Sequence, residues 1–152
     1  MFKSLTKLFN QPEQKNTSQH LEDEIMLFVG LLVEAAAVDG KIDEAEILII
    51  KNSIINFFKV TNEKADLIIN KCVESAGEPN LLHFFTSRIN KEFDYDKKIY
   101  LLEILWETIM ADGQIHDFES NLIRRLSGLM YISDIDCGNV KKRVLLKMNQ
   151  NN

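Results

Sequence analysis

The segment VEAAAVDGKIDEAEILIIK recurs 73 positions later as WETIMADGQIHDFESNLIR, and this internal repeat constrains the fold more than any other feature of the chain. Glu34 aligns with Glu107, Asp39 with Asp112, Glu44 with Asp117 and Glu46 with Glu119, while Gly40 falls on Gly113 and Ile42 on Ile115. Thr61 and Ser133, both good helix starters, follow at an offset of 72. The repeated unit therefore reads as helix, DGxI turn, helix, cap, helix. Two such units are expected to pack about a pseudo-twofold axis.

The rest of the chain agrees with an all-α reading. Only 6 Gly and 2 Pro interrupt 152 residues, and apolar residues recur at three- and four-residue spacing. Leu21, Ile25, Phe28, Leu32 and Ala36 mark a first helix, and Ile47, Ile50, Ile54 and Phe58 a second. Ala65, Ile68, Cys72 and Ala76 mark a third, stopped by Gly77 and Pro79, and Leu81, Leu82, Phe85 and Ile89 a shorter fourth. Ile99, Leu102, Leu105 and Ile109 follow a cap at Asp94 or Asp96. Phe118, Leu122, Leu126 and Leu129 and then Val140, Val144 and Met148 complete a compact bundle of six to seven helices. This domain is placed at residues 21–148, with 149–152 as a disordered tail.

Residues 1–20 read as an arm and a polar linker. Phe2, Leu5, Leu8 and Phe9 form an apolar stripe beside Lys3 and Lys7, which suits either an anchor on a membrane surface or partner or a helix folded back on the domain. No apolar run approaches the ~20 residues of a membrane span, and the opening residues lack a signal-peptide pattern. The expectation is a cytoplasmic protein with at most peripheral contact at the inner membrane. A net charge of -5 argues against binding nucleic acid through its phosphates. Cys72 and Cys137 lie far apart with no CxxC, which fits a reducing compartment.

Each turn has a full structural explanation up to a point. Gly40 and Gly113 can close the preceding helix in the left-handed conformation, and Ile42 and Ile115 can staple the next one to the core. Asp43 with Glu46 reads as a capping box. What capping does not explain is the surplus of acid: Glu34, Asp39, Asp43, Glu44 and Glu46 crowd positions 34–46 with only Lys41 to relieve them. Crowded carboxylates repel unless cations neutralise them, and hard divalent cations prefer such oxygens. The calcium-loop signature is filled in its last acidic, glycine and glutamate places by Asp39, Gly40 and Glu46, and by Asp112, Gly113 and Glu119. Its first two places hold Ala35 and Ala37, or Thr108 and Met110, so the turns are not EF-hands. His116 stands where the first copy has Asp43, which would admit zinc or manganese beside calcium or magnesium. His20 and His83 lack acidic companions, and Trp106 and Tyr131 read as packing residues.

The paired DGKIDEAE and DGQIHDFE turns on a helical chain of this size resemble the tellurite-resistance TerB-like family, over about residues 21–148. The resemblance implies a helical bundle with an acidic metal-binding surface, linked to tellurite and chemical-stress response, that works with protein partners, some of them at the membrane. Carried over to this sequence, its acidic positions are Glu34, Asp39, Asp43, Glu46, Glu107, Asp112, Asp117 and Glu119, with His116 as the departure. The expected function is a non-enzymatic module that binds a divalent metal ion and signals to a partner. The alternative is a metal-free helical interaction domain. It would exploit the charge asymmetry between Glu22–Glu46, with eight acids and one lysine, and Arg124–Lys147, with six bases and two acids. No nucleophile motif, HExxH or Gly-rich phosphate loop speaks for catalysis.

Overall fold

Every residue from Ile25 to Ala36 is buried, which follows from a segment that is apolar on all its faces except at Glu34. A computed structural model describes residues 17–111 and 117–150 and places this segment in helix α1, Thr17–Ala36. Helix α2 (Glu44–Phe58), α3 (Asn62–Ser75), α4 (Leu81–Glu92) and α5 (Tyr95–Ile109) pack around it, and α6 (Asp117–Leu129) and α7 (Asp134–Gln150) pack on α5. The described residues are thus all-helical, with seven α-helices and no strand. The periodicity predicts a single buried stripe for α1 that includes Leu21. Instead the whole second half of the helix is enclosed, and Leu21 is exposed because it precedes the point where the neighbouring helices meet α1. The arm stripe Phe2, Leu5, Leu8 and Phe9 lies outside the described residues.

The helices start where short polar side chains can take the orphan N–H groups. Asp43 accepts from the Glu46 N–H at 2.9 Å while Glu46 Oε1 accepts from the Asp43 N–H at 3.0 Å, a complete capping box. Thr61, Asp94 and Ser133 accept from the N–H groups of Lys64, Lys97 and Asp136 in the same way. Between α1 and α2, a 3-10 turn at Ala37–Asp39 closes on Gly40, whose φ of 106° is one that a side chain would strain. Helix ends also keep the repeat offset: α1 ends at Ala36 and α5 at Ile109, and α2 begins at Glu44 and α6 at Asp117.

α1 and α5 run parallel. Lys97 Nζ meets Glu24 at 2.7 Å near one end, and the rings of Phe28 and Tyr100 stack at 5.7 Å further along. At the other end the residues following each helix come together, and that junction is the candidate site.

Candidate metal site between the two turns

A cavity of about 50 Å³ lies where the ends of α1 and α5 meet the starts of α2 and α6, room for a water molecule or an ion. Ala35, Ala36 and Val38 of the first copy line it opposite Thr108, Ile109 and Ala111 of the second, each pair 73 positions apart. Three acidic residues are among its lining: Asp43 and Glu46 from the start of α2, and Glu119 from the start of α6. Glu46 and Glu119 are half-buried and Asp43 is exposed, so the group opens toward water on one side.

The other proposed ligands go elsewhere. Glu34 is buried, and its carboxylate accepts from the backbone N–H of Gly77 at 3.0 and 3.3 Å, which ties α1 to the α3–α4 connection. Burial pushes its proton affinity above the ordinary carboxylate range; the Gly77 bond opposes this and the charge of Glu78 adds to it. Successive helical residues turn by about 100°, so with Ala35 and Ala36 facing the cavity, Glu34 must face away. Glu107 accepts from Lys147 Nζ at 2.7 Å, and that hydrogen bond raises the pKa of the lysine. Asp117 is exposed on the first turn of α6. Asp39 ends the 3-10 turn, but its side chain, like Asp112 and His116 as a whole, lies outside the described residues. Among the described residues, no three His, Cys, Asp or Glu side chains are already gathered as metal ligands.

The two cysteines are buried and free, and burial pushes the Cys72 thiol up to about 12, so it is an inert packing group. His20 and His83 are exposed. Trp106 is buried, but Tyr131 is not the packing residue its neighbours suggest: it is 78% exposed at a φ of 58°. Sequence reasoning also missed the partners Gly77 and Lys147. They stand 43 and 40 positions from the acids they hold, beyond any local signal.

The family model described as Tellurite resistance protein TerB matches residues 26–142, a stretch that contains both DGxI turns and most of the helices. No curated protein and no solved structure matches the chain. The match spans most of the 152 residues, and with the all-helical fold it establishes that the chain belongs to the TerB tellurite-resistance family.

Proposed function

We propose that this TerB-family chain is a non-enzymatic module that binds one divalent cation between its two DGxI turns and passes that state to a protein partner in the tellurite or chemical-stress response. The observation that supports the reading is that Asp43, Glu46 and Glu119, from separate copies of the repeat, all line one small cavity. Both helices start here, and their N-terminal dipoles disfavour a cation; three carboxylates offset that and leave the site net acidic. A carboxylate offers about four acceptor positions, so capping an N–H and ligating a cation are compatible on one group. Hard oxygen ligands favour calcium, magnesium or manganese, and His116 is the residue that would admit zinc. Asp39, Asp112 and Asp117 remain candidate ligands, and a pseudo-twofold relation of the turns belongs to this proposal.

No described helix is long and apolar enough to cross a membrane. Cytoplasmic action, with the apolar stripe Phe2, Leu5, Leu8 and Phe9 of the N-terminal arm touching the inner membrane or a partner, is part of the same reading. The second reading, a metal-free interaction domain, draws on the exposed Leu129, Tyr131 and Ile135 around the α6–α7 corner.

Thermal unfolding of the metal-stripped protein, titrated with calcium, magnesium, manganese and zinc, separates the two. An ion at about 100 times its Kd stabilises by about 2.7 kcal/mol. The proposal expects a saturable, ion-selective rise in Tm that an Asp43→Asn plus Glu119→Gln variant loses; Asn preserves the cap, so α2 still starts correctly. No shift with any ion, or the same shift in the variant, overturns metal binding and leaves the interaction domain.

A further inference from the structure

A second cleft, of about 300 Å³, opens between α5, α6 and α7 and shares no lining residue with the smaller cavity. Its wall carries Trp106 of α5, Ser120 and Arg124 of α6, and Asp134, Gly138 and Lys141 of α7. Trp106 is only 3% exposed, and its indole Nε1–H has no acceptor among the described residues. Buried donors are nearly always satisfied, so this one points to an acceptor that a ligand or solvent must supply. Lys141 Nζ stands 5.3 Å from the centre of the same ring. Neither Arg124 nor Lys141 forms a salt bridge with a described residue. At Gly138 an added Cβ would meet nothing within 4 Å, so α7 presents bare backbone to open space there. The Cys137 thiol, also on the wall, is already engaged with the Ser127 hydroxyl at 3.2 Å.

The lining is therefore rich in donors and carries two cations against one carboxylate, Asp134. We propose that this cleft binds a small phosphate monoester, with the phosphate held by Arg124 and Lys141 and accepting from Trp106 Nε1–H and the Ser120 hydroxyl. A dianionic phosphate matches two cations, and guanidinium and ammonium groups are suited to its oxygens. The volume exceeds what inorganic phosphate needs and leaves room for an organic portion of a few carbons. Asp134 would accept from a hydroxyl of that portion. Both cations of the site, Arg124 and Lys141, belong to the basic stretch Arg124–Lys147, at a distance in sequence from the acidic turn at Asp39–Glu46.

Titration calorimetry on the full chain with glycerol 3-phosphate, inorganic phosphate, sulfate and succinate tests this. Saturable binding is expected for glycerol 3-phosphate, weaker for inorganic phosphate, and weakest for sulfate and succinate. Trp106→Phe, which keeps an aromatic ring and deletes the N–H, should weaken binding about tenfold or more, as should Arg124→Gln. Gly138→Leu replaces a helical glycine with a strong helix former, so it folds, and its side chain should abolish binding by filling the cleft. Arg143→Gln, an exposed basic change outside the lining, should leave binding unaltered. Absence of binding by glycerol 3-phosphate, equal binding of succinate, or unchanged affinity in Gly138→Leu would overturn the proposal.

Discussion

Glu34 shows how one residue can look like a ligand in the sequence and serve the fold in the structure. Its place in the repeat, opposite Glu107, suggests a site, yet its carboxylate is buried against the Gly77 N–H. Because burial raises its folded pKa above the unfolded value of 4.5, its contribution to stability is complete below that value and is lost as the pH rises through the folded pKa. Glutamine keeps an acceptor for Gly77 and does not titrate. Urea unfolding of the wild type and Glu34→Gln should therefore show the variant at its greatest relative disadvantage near pH 4 and gaining on the wild type toward pH 8. A difference that is constant with pH, or that moves the other way, would show that burial does not govern this carboxyl. The capping box of Asp43 and Glu46 was fully legible, because a three-residue spacing is a local geometry. The Gly77 contact was not, because it is made by tertiary packing.

Helix boundaries were legible wherever a cap set them: Asp43, Thr61 and Ser133 start the helices expected of them, and of the two candidates Asp94 and Asp96 it is Asp94 that caps. Helix ends were less so. α6 closes with Ile132 N–H to the Ser127 carbonyl at 2.9 Å and Tyr131 N–H to the Gly128 carbonyl at 3.1 Å, a Schellman pattern with tyrosine in the left-handed place that glycine usually takes. This turns the Tyr131 ring outward, while Lys98 Nζ donates to the Met130 carbonyl at 3.0 Å. The contact of α1 with α4 is set by Gly30, where an added Cβ would stand 2.4 Å from the ring of Phe85. Alanine favours a helix over glycine by roughly 0.5 to 1 kcal/mol, but overpacking a core costs about 1 to 3 kcal/mol. Since both residues are buried, the steric term should win, and Gly30→Ala should lower the unfolding free energy by about 1 to 2 kcal/mol in urea titration. A stabilised Gly30→Ala protein would mean that α1 and α4 can move apart freely.

At the scale of the molecule, the three- and four-residue apolar spacing announced the all-helical class, and the family match covers both DGxI segments. The repeat did not announce which acids would meet. Of nine proposed ligands, Asp43, Glu46 and Glu119 line one cavity, while Glu34 and Glu107 are held by Gly77 and Lys147. Helix rotation decides this, and a short acidic motif does not encode it. The central claim is that the two turns share one cation. Paramagnetic broadening by Mn²⁺ in an amide NMR spectrum of the metal-stripped chain tests it most directly. The account predicts that amides at Glu44–Glu46 and at Asp117–Glu119 broaden together at the first substoichiometric addition. Broadening confined to one turn, spread diffusely over acids such as Glu22 and Glu24, or absent altogether would contradict it.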